Sequence, residues 1–423
     1  MEMNINHELR IESKIPFQSI EDFHFEWKTN QHAVLEVNGY IDPNNIYGKN
    51  SLYGSMIRIW KEQGNETLFH GCMTKATEES VGELKKIHIE AQSASCRLDQ
   101  QAGKRSFQAV EKTYAEVARE VVEENDGQII CTEGDEKQIG KPMIQYNETV
   151  WAFVKRLASY MGTCVVADII SGESALWFGM RNGNTISPFI ENEYSINVVR
   201  TKQEDGYSTE TVYETESRQF YKLGDRTVFC GQRLVICRVS AYFHQGELIF
   251  SYLLKGRESV KKIYQESFIG LGLTGTIIDV RNEQIKVALD IDGGKSTGDY
   301  YYDWYPETGN TLYAMPEKGA RVELCFGSWD ESEGGVLDVF PSTIENRGLH
   351  VYRNFHLTNA NSINLHERRT NFTKGSVGDL SLYDGFIIIS SSKIFNIIAK
   401  DAIQIYTNKI MLRCLDELSI CQN

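Results

Sequence analysis

Between Gly385 and Cys414 the sequence sets four short apolar strands, at 386–389, 394–397, 403–405 and 410–412, spaced about seven to nine residues apart with Ser, Lys, Asp and Asn between them. A repeat of that period is a solenoid pattern, in which each rung buries its apolar face against its neighbours. Four rungs are too few to close a core within one chain, and their open edges invite pairing with other strands. Three copies wound about one axis meet both demands. The expected interface points Ile387, Ile389, Ile394, Ile403, Ile405, Ile410 and Leu412 inward. At roughly 1.5–3 kcal/mol per buried side chain, these positions offer on the order of 10–20 kcal/mol per chain before conformational entropy is subtracted. A short C-terminal trimeric β-helix needle at 346–423 is therefore expected, and with it an obligate homotrimer.

Upstream, residues 267–345 read as a small barrel. Gly270-Leu271-Gly272-Leu273-Thr274-Gly275 leads into alternating strands at 276–280 and 284–290, an aromatic loop at 300–306, and the closing run Tyr313-Ala314-Met315-Pro316-Glu317-Lys318-Gly319. Strands of five to seven residues broken by Gly, Asn and Asp suit a five-stranded, OB-like closed sheet. The glycine run matches the G-x-G-x-x-G fingerprint of dinucleotide sites, but that fingerprint must follow a strand and open a helix. Here a strand follows it, so no nucleotide cofactor is expected.

Residues 1–100 read as a first β-barrel-like base domain, with strands at 32–41 and 86–91 and a hairpin from 56–60 and 67–72. At 101–266 a helical insert precedes a second barrel-like domain. Thr113 and Glu116 stand at capping-box spacing, and Tyr114, Val117, Ala118, Val121 and Val122 follow at helical intervals to about Glu124. A second helix is expected at 148–161. There Asn147 is placed to cap, Glu148 lies at the positive helix end, and Val150, Trp151, Val154, Leu157, Ala158 and Met161 form an apolar stripe that Gly162 stops. A strand at 163–169 and a hairpin about Gln245-Gly246 complete this part. The fold class expected is thus mainly β, with an α+β base.

Two stretches carry a family resemblance. The run from Gln145-Tyr146-Asn147-Glu148-Thr149 through Trp151, Phe153, Arg156, Leu157 and Ala158 is one, and Trp304-Tyr305-Pro306 followed by Tyr313, Met315-Pro316-Glu317, Gly319 and Val322 is the other. Together they resemble the VgrG-type spike proteins of contractile injection systems, relatives of phage tail hub, late-control and tail-spike proteins. The resemblance implies a structural trimer at the tip of an injection machine, either a type VI-like secretion system or a phage-tail-like particle. Such a spike docks on a hexameric inner-tube protein among baseplate proteins, punctures an envelope and carries secreted effectors. Asn147, Glu148, Trp151, Trp304, Pro306, Pro316 and Gly319 are then scaffold residues, and a duplicated base of two similar barrels is implied.

Charge and composition narrow the remaining classes. A net charge of −14 disfavours nucleic acid, whose phosphates require Lys and Arg. The opening Met1-Glu2-Met3-Asn4 lacks the features of a signal peptide, so assembly in the cytoplasm is expected, followed by injection or secretion on contraction. Nine cysteines form no C-x-x-C pair and mostly sit in apolar strand patterns, which implies reduced thiols and neither a disulfide framework nor a zinc site. His350, His356 and His366 lack a metal-site rhythm. Without a catalytic motif, an enzyme is not expected, and no hydrolase domain fits the twenty or so residues between Gly327 and Gly348. The alternative is a cell-wall or polysaccharide-acting tail enzyme, or a carbohydrate-binding tail protein using the 300–304 aromatics to stack on sugars. No histidine follows His366, and Cys414 and Cys421 offer only thiols. The needle is therefore expected to lack a metal tip and to take a separate cap, by resemblance a PAAR-type tip protein.

Overall fold

The structure, a computed structural model, describes residues 9–42, 52–190, 193–203, 206–256, 260–304, 315–331, 334–340, 353–357, 360–366, 368–416 and 419. It falls into two compact units: residues 1–312 with 318–340, and residues 313–317 with 341–423. Strands dominate both. No helix among the described residues is long and apolar enough to cross a membrane.

The first unit begins with β1 (Leu9–Ser13), β2 (Phe17–Lys28), β3 (Val34–Ile41), β4 (Met56–Lys61), β5 (Glu66–Val81) and β6 (Leu84–Ser93). Period-two alternation places them. In β2, Phe23, Phe25 and Trp27 are buried while His24, Glu26 and Lys28 turn outward, and Leu35, Val37, Ile87 and Ile89 meet them from β3 and β6. The insert follows: β7 (Ala102–Phe107), α1 (Tyr114–Glu123), β8 (Gln128–Cys131), β9 (Met143–Thr149), α2 (Val150–Tyr160), β10 (Val165–Ala167) and β11 (Ala175–Phe178). Then come β12 (Tyr194–Gln203), β13 (Gly206–Ser217), β14 (Arg226–Phe229), β15 (Gln232–His244) and β16 (Glu247–Lys255). Gln245 and Gly246 both take positive φ in the two-residue turn between β15 and β16, the geometry a tight hairpin requires.

The two β regions expected as separate base barrels are hydrogen-bonded into one eleven-stranded sheet of order β1-β4-β5-β6-β3-β2-β15-β16-β13-β12, with β14 on β15. The join is β2 against β15, from His24↔Tyr242 to Lys28↔Arg238. Phe23 and Phe25 on one side of it and Val239, Ala241 and Phe250 on the other are all buried in one continuous apolar cluster. A strand that would otherwise be an open edge is covered in this way.

Both helices of the insert pack into a second cluster through Val117, Ala118, Val121, Phe153, Val154 and Leu157. The capping box at Thr113 forms as the spacing predicts, with reciprocal bonds between Thr113 and Glu116. At the far end of α2, Gly162 at φ 70° accepts the left-handed conformation, and Thr163 N–H donates to the Ala158 carbonyl at 3.0 Å. That is a Schellman stop. The N-terminal cap differs from the expectation at Asn147. Thr149 caps α2, its hydroxyl accepting from Ala152 N–H at 3.2 Å. Asn147 is instead the extra residue of a bulge in β9, where the register with β7 shifts between Gly103 and Lys104, and its φ is 50°. The bulge also takes Glu148 away from the helix end and into the interior.

The rest of the first unit is a five-stranded antiparallel sheet, β17 (Gly272–Arg281), β18 (Gln284–Leu289), β19 (Tyr302–Asp303), β20 (Arg321–Cys325) and β21 (Gly335–Phe340), in the order β19-β18-β17-β20-β21. The G-x-G-x-x-G run enters β17 and not a helix. Leu273, Ile277, Ile285, Val287, Leu289, Val322 and Leu324 fill its interior. Gly319, at φ 89°, turns the chain into β20 and donates to Ile277 carbonyl at 2.8 Å.

The second unit contains β22 (Arg353–Leu357), β23 (Asn361–His366), β24 (Arg369–Lys374), β25 (Gly378–Tyr383) and β26 (Ile387–Ser391), an antiparallel meander in sequence order. Only the first expected rung falls in it, as β26. Residues 394–397, 403–405 and 410–412 have no strand partner within the chain among the described residues. Four of the five meander strands precede the expected rungs. They were not anticipated because polar residues such as Asn361, Asn364, Thr370 and Asn371 interrupt their apolar alternation.

Candidate functional site

A long stretch of the described C-terminal residues exposes apolar side chains. From Phe386 to Leu415, Phe386, Ile387, Ile388, Ile389, Ile394, Phe395, Ile397, Ile398, Ile403, Ile405, Ile410, Met411 and Leu412 are all exposed in the single chain, as is Leu415 at 99%. All seven expected interface positions, Ile387, Ile389, Ile394, Ile403, Ile405, Ile410 and Leu412, are among the exposed large apolar residues. Among the described residues β26 pairs only with β25, through Leu382↔Ile387, Ser381↔Ile388 and Leu380↔Ile389, and its other edge carries no described strand. A monomer leaves this surface facing water at substantial cost.

The first of the two sequence motifs is organised around one buried cation. Arg156 is almost wholly enclosed on α2. Its guanidinium donates to both Glu148 carboxylate oxygens, at 3.1 Å from Nε and 2.9 Å from Nη2, and to Ile144 carbonyl at 2.8 Å. Nη1 donates to Glu331, whose second oxygen accepts from Tyr160 hydroxyl at 3.0 Å. Phe153, Tyr160 and Phe268 rings surround the guanidinium within 5.1–5.9 Å of their centroids. Burial opposes its charge, but Glu331 and Glu148 outweigh that and hold its pKa above the ordinary value. For Glu148, burial pushes the carboxyl up against the pull of Arg156.

Other bonds tie the same surfaces. Asp292, just before the aromatic loop, accepts from Ser106 N–H at 2.7 Å and Ser106 hydroxyl at 2.6 Å. Gly298 lies so close to Gln108 and Ala109 that a Cβ there would meet backbone at 2.0 Å. The insert is thus locked to the five-stranded sheet. From the sequence Arg156 entered only as part of the family motif and was given no ion-pair role, although an arginine amid Phe153, Val154 and Leu157 on an apolar helical stripe was the available signal.

The scaffold residues sit as follows. Trp151 is buried with its ring 4.1 Å from that of His32. Trp304 is buried, and its backbone N–H donates to Glu283 carbonyl at 3.0 Å. Pro316 is half-buried and Gly319 exposed at its turn, while Pro306 lies outside the described residues. The sugar-stacking alternative loses two of its rings, because Tyr302 and Trp304 face the interior.

One constellation has the composition of a catalytic triad. His32 Nδ1 lies 2.8 Å from Ser95 hydroxyl and Nε2 3.5 Å from Asp99. Ser95, however, is fully buried and bonded to Ser93 at 2.8 Å, and Ser93 accepts from Ala33 N–H. A nucleophile must reach its substrate. This cluster pins the turn after β6 to the start of β3. Among the described residues, no group of three or more His, Cys, Asp or Glu side chains is placed to hold a metal ion.

Residues 37–228 match the phage tail baseplate hub (GPD) family. No curated protein sequence matches the chain. Among solved structures, the fold is similar to the Escherichia coli c3393 protein, a component of the type VI secretion system with structural similarity to the bacteriophage T4 tail proteins gp27 and gp5. That similarity has a TM-score of 0.55 at 11% identity, covering 78% of this chain and 99% of that one. It is also similar to the structure of the lidded Francisella PdpA-VgrG complex, with a TM-score of 0.56 at 10% identity, covering 92% of this chain and 79% of that one. At such identities the likeness is one of fold.

Proposed function

We propose that this chain, which carries a phage tail baseplate hub domain at residues 37–228 within a VgrG-like fold, is the homotrimeric spike of a contractile injection machine. The observation that carries the reading is the exposed apolar run from Phe386 to Leu415. Three copies bury each other's rungs and supply strand pairs for residues 394–412, which have none within one chain among the described residues. The interlocked first unit then serves as the base that docks on a hexameric inner tube within a baseplate, with the five-stranded sheet as an OB-like barrel above it.

The mechanism is mechanical. Force from sheath contraction passes through a base held by one eleven-stranded sheet, a bulge and a buried ion cluster, and a closed β-needle delivers it to the envelope together with cargo. In this reading the trimer assembles in the cytoplasm and leaves on contraction. A PAAR-type tip protein covers the last rung, and secreted effectors travel with it. The test is electron microscopy of the purified protein with a candidate tube protein. Three-fold particles seated on the end of a six-fold tube support the reading, whereas particles without three-fold symmetry that ignore the tube overturn it. Removing residues 410–423 should abolish co-purification of the tip protein.

A further inference from the structure

The meander of the second unit turns its apolar face to water. Directly opposed residues of antiparallel strands share a face, and the register runs Ile363↔Phe372↔Leu380↔Ile389 and Leu365↔Thr370↔Leu382↔Ile387 across β23, β24, β25 and β26. One face therefore gathers all the apolar members of both rows. Of these, Leu365, Phe372, Leu382, Ile387 and Ile389 are 37–65% exposed, and Ile363 and Leu380 are half-buried. The other face carries Ser362, Asn364, Asn371, Thr373, Asp379 and Ser381, none of them exposed. Its polar groups bond to one another: Asp379 accepts from the hydroxyls of Thr373 and Ser381, and the Asn364 amide donates to the Ser362 hydroxyl at 3.2 Å. A sheet that stays a monomer has the opposite arrangement, apolar side covered and polar side wet.

We propose that this face packs against the same face of two further copies of the chain, so that the interface between copies starts at β23 and not at Phe386. The proposal rests on the trimeric reading above and adds to it a part carried by a folded sheet. Register names the occupant. Ile387 and Ile389 open the isoleucine run, and they stand directly opposite Leu382 and Leu380. An axis that takes in the two isoleucines must take in the two leucines, and Phe372 and Ile363 beyond them, because all lie on one face. Charge agrees. Between Asn361 and Ser391 the positions of this face include Lys374 and no carboxylate, in a chain of net charge −14. Three identical faces can meet without placing like charges of acidic residues together. Shape provides room as well: Gly378 contributes no side chain, and a hollow of about 370 Å³ opens there, lined by Ile363, Phe372, Lys374, Leu380 and Ile389. A large apolar side chain of a neighbouring copy fits such a space. The chain's own apolar run does not cover the face, since Ile394, Ile403 and Ile405 are themselves exposed.

The test is hydroxyl-radical footprinting of the full-length protein, read by peptide mass, with light scattering on the same sample. The expected result is a species of three times the 48.2 kDa chain mass in which Phe372 and Leu382 are oxidised several-fold more slowly than in the urea-unfolded chain. Tyr53, 79% exposed, is the internal reference and should react close to its unfolded rate. A trimer in which Phe372 and Leu382 react at the unfolded rate would overturn the proposal and leave the trimeric reading standing. A species at 48.2 kDa would overturn both. Protection that appears only when a different protein is added would assign the face to that partner and overturn the proposal. Phe372→Asp supplies a second arm, because Phe372 is exposed in a single chain and its loss leaves the protomer's own packing in place. It should raise the concentration at which the trimer dissociates by roughly ten-fold or more, while Asn364→Asp, on the opposite face, should leave that concentration unchanged. Equal effects of the two substitutions would contradict an inward apolar face.

Discussion

Arg156 on α2 pairs with Glu331, 175 residues later in the chain, at a point where neither side chain reaches solvent. The guanidinium also holds Glu148, so one cation answers two carboxylates at the seam between the insert and the five-stranded sheet. Removing the cation leaves buried negative charge uncompensated. Arg156→Met should therefore cost about 3–5 kcal/mol, read as a lower urea midpoint. Adding Glu331→Gln to Arg156→Met should recover part of that loss. A single Arg156→Met variant as stable as wild type would remove the clamp from the account.

The entry into α2 separates two neighbours. Thr149→Ala should cost about 1 kcal/mol through the lost cap. At Asn147 the backbone is left-handed, so Asn147→Gly should be close to neutral while Asn147→Val should cost about 1–2 kcal/mol. Thermal midpoints of the three variants check this, and a larger loss from Asn147→Gly than from Thr149→Ala would return the cap to Asn147.

How far the sequence carried the fold depends on where each side chain finds its partner. Period-two alternation at Phe23, Phe25 and Trp27, the capping box at Thr113 and the glycine stop at Gly162 are local signals, and all formed. The cap at Asn147 misled because the bulge that displaces it is set by the register with β7, far back in the chain. Likewise, nothing near Glu331 announces Arg156. The joining of the two β regions through β2 and β15 was hidden for the same reason, since strand order is a property of pairing and not of pattern. At 386–412 the isoleucine repeat was plain, yet among the described residues only its first rung, as β26, finds a strand partner within the chain.

Acid should loosen the five-stranded sheet through one ion pair. Hydrogen bonds from Arg321, opposed by burial and aided by Thr274, depress the Asp290 carboxyl from 3.8 to about 2. A depressed folded pKa stabilises above the unfolded value, and that contribution is lost as pH falls from near 4 through about 2. Both side chains are partly exposed, so solvent screening keeps the effect modest. Urea midpoints followed between pH about 5 and about 2 should fall less steeply for Asp290→Asn than for wild type. Identical pH profiles would show that the pair contributes nothing.

Substitutions in the last rungs should sort by face. In the proposed rung Ile403 and Ile405, two residues apart, would share one strand face and Gln404 would take the other. A carboxylate at 403 or 405 would be repeated three times about the axis, so Ile403→Asp and Ile405→Asp should each abolish assembly, while Gln404→Asp should be tolerated. Size-exclusion elution of the three variants reports the outcome, and equal tolerance at all three positions contradicts an inward-facing rung.

The central claim is that the chain is built to exist as three. Multi-angle light scattering of the purified full-length protein at micromolar concentration measures it most directly. The account predicts a single species at three times the 48.2 kDa chain mass, persisting on dilution. A folded, stable species at 48.2 kDa, with Ile403 and Ile405 still open to solvent, would contradict it.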